Sequence, residues 1–150
     1  MSIIKYHKKY KRPRKPFEKE RIEAENVVVK KYGLKNKKAI WKAENYIDKI
    51  RNQAKKLLTS SQEEQQKFID KLAKIGLLSA KSKLDDVLGL KKENILDRML
   101  QTIVLKKNLA KTTKHARQLI THRHIIVEGK IVTVPSYIIS VEMEKEVNKK

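Results

Sequence analysis

A chain of 150 residues has room for one ordinary domain or two small ones around a modest core. Its formal net charge of +20 and pI near 10.1 exceed what solubility needs. Such self-repulsion is relieved by a polyanion, nucleic acid first and an anionic membrane surface second. No run approaches the roughly 18 apolar residues of a membrane span, and the N-terminus lacks a signal peptide's apolar core. With zero cysteines, disulfides and thiolate zinc sites are excluded, in keeping with a cytosolic setting.

Residues 1–16 hold seven Lys or Arg, no acid, and prolines at 13 and 16. Such a segment cannot bury enough surface to fold alone, and reads as an extended basic arm. Tyr6 and Tyr10 stand among Lys8, Lys9, Arg12 and Arg14, where rings can stack on bases and guanidinium groups can fork onto phosphates. The competing reading is a merely solvated tail.

Pro16 precedes a predicted helix over 17–31, thinly apolar at Ile22, Val27 and Val28, with Gly33 as its stop. A second helix runs from a cap at Asn36 to about Leu58. Ile40, Ala43, Ile47, Ile50, Ala54, Leu57 and Leu58 recur at three- and four-residue steps and make its core stripe. Lys42, Lys49, Arg51, Lys55 and Lys56 cover the rest, and Trp41 reads as a core anchor rather than a stacking platform. Ser60 or Ser61 with Glu63 and Glu64 resembles a capping box for a third helix, striped by Phe68, Ile69, Leu72 and Ile75 and closed by Gly76. Asp85 and Asp86 open a short helix near Leu84–Leu88. With no glycine-rich loop, histidine or third acid beside them, they mark a helix N-terminus rather than a catalytic pair.

The next helix is expected as one piece from Asn94 to Leu105. Ile95, Met99 and Ile103, with Leu96, Leu100 and Val104, form its broad apolar band, while Asp97, Arg98 and Gln101 face outward. After Lys106 and Lys107, a basic helix starts at Thr112 or Thr113 as N-cap. Ala116, Leu119 and Ile120 make its apolar stripe; Lys114, Arg117 and Thr121 make a cationic one. Ile125–Val127 and an alternating run over 130–134 then flank Glu128-Gly129, a two-residue hairpin loop. Glutamate is a poor first residue for a primed turn, so the turn type stays open. Residues 141–150 mix charges without pattern and read as a frayed tail, and no 20–50-residue period repeats.

His115, His122 and His124 invite a metal reading. His122 and His124 cannot share a helix face, and His115 is two turns from His122, so no metal site is expected. No serine is marked out as a nucleophile, and no cofactor loop is present, so neither catalysis nor a small-molecule substrate is expected. At the helix-to-strand corner, His122, Arg123 and His124 are better placed to reach phosphate and ribose.

Ala116-Arg117-Gln118-Leu119-Ile120, His122-Arg123-His124-Ile125, Val127, Gly129, Val132 and Pro135-Ser136-Tyr137 together resemble the RNA-binding domain of the small ribosomal subunit protein four family. Residues 31–41 resemble its archaeal and eukaryotic branch, and 96–102 resemble its segment there with Met99 in place of an arginine. Many family members carry glycine where Arg123 stands and asparagine where Glu128 stands.

The resemblance implies a structural, non-enzymatic rRNA-binding constituent of the small ribosomal subunit in the cytoplasm. It would bind the 5′ domain, help assemble it, and lie near the channel through which mRNA enters. The implied partners are small-subunit rRNA, neighbouring ribosomal proteins and mRNA, with no membrane and no cofactor. Two rivals stand beside it: a non-ribosomal nucleic-acid binder, and the remnant of an RNA-modifying or tRNA-charging enzyme that carried the same module.

The expected fold class is α-rich α+β. It comprises a basic arm (1–16), a helical N-terminal domain (17–92), an RNA-binding module of two helices on a short antiparallel sheet (93–140), and a charged tail (141–150). Expected RNA contacts on the arm are Lys8, Lys9, Tyr10, Arg12 and Arg14, with Lys42 and Lys49 on the second helix. In the module they are Lys106, Lys107, Lys111, Thr112, Lys114, Arg117, Gln118, His122, Arg123 and His124.

Overall fold

The computed structural model describes residues 9–79 and 82–150. Lys5, Tyr6 and Lys8, expected on the arm, lie outside the described residues. The chain is α-rich α+β, with helices α1 (Lys19–Tyr32), α2 (Lys38–Leu57), α3 (Gln62–Ile75), α4 (Leu84–Leu88), α5 (Lys92–Asp97), α6 (Leu100–Lys106) and α7 (Thr113–Thr121). Strands β1 (Ile125–Val127) and β2 (Lys130–Ile131) follow, then helix α8 (Val141–Lys145) and strand β3 (Val147–Lys149).

Two apolar cores meet at the junction of α5 and α6. The first gathers Tyr32, then Ala43, Ile47, Ile50 and Ala54 of α2, Phe68 and Leu72 of α3, Val87 of α4, and Ile95, Leu96 and Met99. The α2 stripe is the one the periodicity predicts, except that Leu57 is half-buried and Leu58 is exposed at the helix end. Helix caps follow backbone rules more than side-chain ones. Gly33 and Gly76 sit at positive φ and close α1 and α3 as expected. Asn36 does not cap α2, whose cap position is Lys37, and Ser61 forms no side-chain cap on α3. Asp86 accepts the Lys83 amide at 2.8 Å, the role of a helix-opening acid.

The single helix expected over 94–105 is broken. Met99 is extended (φ −71°, ψ 142°), which frees the amides of Leu100 and Gln101 to bond the carbonyls of Tyr137 (2.8 Å) and Pro135 (3.2 Å). Ile139 N–H in turn reaches Arg98 O at 3.0 Å. The backbone groups lost from the helix are thus satisfied by the strap at 135–139. The six residues of the apolar band are all buried, but Ile95, Leu96 and Met99 serve the first core while Leu100, Ile103 and Val104 serve the second. The outward face is a correction: Gln101 is 3% exposed and Arg98 is half-buried.

The second core adds Ala116, Leu119 and Ile120 of α7, Ile125 and Val127 of β1, Ile139, and Val147 of β3. The sheet order is β2-β1-β3, antiparallel throughout. Strand β2 ends at Ile131, short of the expected run to Val134, and Ile131 and Val134 are about half exposed. The stretch at 141–150, expected to fray, is also corrected. It folds as α8, capped by Ser140 Oγ accepting from Met143 N–H, and then as β3 against β1. Val147 is 1% exposed between Glu146 and Asn148, a lone apolar residue that local patterning could not mark as a strand.

Candidate nucleic-acid interface

Helix α7 is built as its sequence asks. Thr112 Oγ1 accepts from His115 N–H at 3.1 Å, which fixes the N-cap, and the Thr112 O–H proton remains free to donate outward. Its apolar stripe enters the second core, so Lys111, Lys114, Gln118, Thr121 and His122 are left exposed. The helix ends in a Schellman motif: Arg123 N–H bonds Ile120 O (3.1 Å) and His124 N–H bonds Leu119 O (2.9 Å). Arg123 takes the left-handed conformation that this motif requires (φ 65°), where glycine would be unstrained. The corner therefore presents His122, Arg123 and His124 together in solvent. Glu128 (φ 50°) and Gly129 (φ 74°) are both left-handed, the pattern of a type I′ hairpin.

Arg117 is set apart from the other α7 cations. It is half-buried, and its Nη1 donates to Gln101 Oε1 at 3.4 Å. Gln101 Nε2 reaches the carbonyls of Tyr32 (2.9 Å), Gly33 (3.2 Å) and Thr113 (3.0 Å). One buried amide thus ties the end of α1 to the start of α7 and steadies the arginine beside them. Approach is close: a Cβ on Gly33 would stand 2.5 Å from Thr113 Oγ1. Sequence reading missed Gln101. The signal was there, a lone amide inside a segment apolar at six positions from Ile95 to Val104.

On α2, Lys38, Lys42, Tyr46 and Lys49 fall at four-, four- and three-residue steps and are all exposed, opposite the buried stripe. Between this face and the 135–139 strap lies a cleft of about 310 Å³. Lys35 and Lys42 line it from the first core's side and Arg117 from α7. The structure therefore brings two expected contacts, Lys42 and Arg117, to one place.

Other expected contacts are engaged elsewhere. Lys107 Nζ donates to the carbonyls of Lys145 (3.0 Å) and Val147 (3.2 Å), holding the C-terminal segment, and Lys106 pairs with Asp97 at 3.8 Å. On the arm, the Tyr10 ring lies 6.0 Å from that of Trp41. Asn45 Nδ2 donates to Lys9 O, while Arg12 and Arg14 are exposed. Trp41 is half-buried under the arm rather than anchored in the core. Its Nε1 donates to Glu25 Oε1 at 2.9 Å, and Glu25 also meets Arg21 at 2.7 Å and Lys37 at 3.4 Å. Burial would raise the Glu25 carboxyl, but the Trp41 hydrogen bond and the Arg21 and Lys37 cations outweigh it and hold the group below its usual range.

The sequence profile of the S4 domain matches residues 99–145. The chain is 50% identical over 146 residues to the small ribosomal subunit protein uS4 of Thermoplasma volcanium, covering 93% of this chain and 73% of that one. It is 51% identical over 146 residues to the protein of the same name from Thermoplasma acidophilum, with the same coverage. Against the Picrophilus torridus protein uS4 the identity is 45% over 147 residues, covering 93% and 80%.

Proposed function

From the premise that the chain belongs to the small ribosomal subunit protein uS4 family, we propose that it grips folded rRNA with cations drawn from both of its cores. Its role in the small ribosomal subunit is structural, and rRNA is what it binds. The observation that carries the reading is the shared cleft, where Lys42 of α2 and Arg117 of α7 line one opening although they belong to different packing units.

The mechanism is electrostatic and geometric. Duplex RNA hides its bases in a deep, narrow groove, so the protein reads shape through phosphates and 2′-hydroxyls. Lys114, Gln118 and the His122–His124 corner meet one run of backbone, and Lys42 and Lys49 meet another. Holding the two sets in fixed relation selects an RNA whose strands cross at the matching spacing. We place this contact on the 5′ domain of the small-subunit rRNA, near the channel through which mRNA enters. There the protein would order the domain during assembly and touch neighbouring ribosomal proteins and mRNA in a cytoplasmic subunit.

Filter binding to the 5′ domain of small-subunit rRNA, repeated across salt concentrations, tests the proposal. Affinity should fall steeply as salt rises, because each neutralised phosphate releases counterions. Arg117→Gln should weaken binding and shallow the salt slope by about 1, with the circular dichroism unchanged. Equal retention of duplex DNA at moderate salt would favour a general nucleic-acid binder instead.

A further inference from the structure

The cleft between α2 and the 135–139 strap has a lining that phosphate contact alone does not use. Its floor is apolar and well buried, with Ala43, Ile95 and Met99 no more than 8% exposed. Ala39 and Ile138 complete the walls, and Tyr46, 36% exposed, presents an aromatic ring at the side. Around this sit three cations (Lys35, Lys42, Arg117), the Asn36 amide and the Ser136 hydroxyl, with the Gln101 amide, already engaged by backbone carbonyls, beside Arg117. Arg117 gives one guanidinium nitrogen to Gln101, and most of its five donors have no protein acceptor among the described residues.

A pocket of about 310 Å³ is at the small end of the range for ligand sites. It is too confined for a duplex and larger than a phosphate needs. Apolar floor, aromatic wall, a few hydrogen-bonding groups and a cationic rim are together the requirements of an unstacked nucleotide. An anionic lipid or an acidic peptide would use the rim and leave the ring, the amide and the hydroxyl idle.

Resting on the rRNA reading above, we propose that this cleft receives one unstacked nucleobase of the bound RNA. Its ring system enters against Tyr46 and the apolar floor, its edge faces Asn36 and Ser136, and its phosphate stays at the rim with Lys35, Lys42 and Arg117. The protein thereby reads one extruded nucleotide besides the backbone shape around it, and any sequence preference it has concentrates there.

Methyl NMR of the wild-type chain tests this directly, with AMP, GMP, CMP and UMP added separately and inorganic phosphate as the control. At least one nucleotide should give saturable shifts at Ala39, Ile95, Met99 and Ile138 at millimolar concentration. Silence from all four, or the same shifts with phosphate alone, overturns the proposal, leaving a side chain of a neighbouring protein or a bare ion as occupant. A second measurement fills the cleft. Ala39→Leu should lower rRNA affinity roughly 5- to 150-fold, the worth of one stacked base, with the salt slope unaltered because no phosphate contact is lost. A folded Ala39→Leu chain with undiminished affinity sinks the idea. Wild-type retention of rRNA with silent methyls defeats the cleft alone; failure to retain rRNA defeats the reading beneath it as well.

Discussion

The two cores are held shut in different ways. The first is wound around α2, a 20-residue helix against which α1, α3, α4 and α5 all pack. The second has no such spine. Its longest helix is the 9-residue α7, and its sheet is closed by β3, which returns from the far end of the chain to pair with β1. Polar ties do much of the fastening there: Arg98 to Glu144 (2.6 Å) and to Ile139 O (2.9 Å), Lys107 to two carbonyls, and Lys150 N–H to His124 O (2.9 Å). A spine tolerates local damage because neighbouring turns share the load. A ring of short pieces opens wherever one closure is cut.

The sharpest way to break the contrast is at that closure. Val147→Asp places an unpaired carboxylate at a site 1% exposed. The cost should be about 3–5 kcal/mol, comparable to the stability of a small unit. Urea unfolding should show the module lost first, with most of the α2-based helical signal surviving to higher denaturant. A single transition at the wild-type midpoint would mean that β3 matters little.

Next comes the joint between the cores. Gln101→Met keeps length and apolar contact but strips the amide from three carbonyls and Arg117. A loss of about 1–3 kcal/mol is expected from the groups left unsatisfied, and it should appear as weaker coupling between the two unfolding steps. Because Arg117 also loses its support, rRNA affinity should fall even where the chain is fully folded.

Alkali probes the first core alone. Burial, then the charge and hydrogen bond of Asp97, push the Tyr32 hydroxyl up to about 12 from 10.0. The folded state keeps that proton while the unfolded chain gives it up near pH 10. The stabilisation is therefore whole below pH 10 and is lost as pH rises toward 12. On the order of 2 kcal/mol is at stake, measurable as a steeper alkaline fall in stability for wild type than for Tyr32→Phe.

The smallest effect should come at the α7 corner. Arg123→Gly relieves a left-handed residue and should raise stability by up to about 1 kcal/mol after the entropy of glycine is set against it. Affinity for rRNA should drop at the same time if Arg123 reaches phosphate. A thermal melt and a binding curve on one preparation read both.

What could be read from residues alone follows the same division. The α2 and α3 stripes, the Gly33 and Gly76 stops and the Thr112 cap are short-range features, written in neighbours three or four apart. The break at Met99 is not, because it is stabilised by carbonyls near 135–137 that no local window contains. The same holds for β3, whose partner strand is about twenty residues away, and for Gln101, whose acceptors are backbone atoms almost seventy positions upstream and twelve downstream. The cationic face of α7 was visible from spacing. That Lys42 shares an opening with Arg117 was not, since it depends on how two cores are set against each other.

Gln101 addresses only main-chain oxygens at Tyr32, Gly33 and Thr113, so it is indifferent to the side chains those positions carry. Substitution at Thr113 could accumulate over generations without loosening the knot, so long as the chain path held. The amide itself has no such freedom. Among the four positions, Thr113 should therefore tolerate the widest range of side chains, whereas Gln101 is fixed by its amide, Gly33 by its positive φ and close contact, and Tyr32 by its burial, a lopsidedness that saturation mutagenesis would display at once.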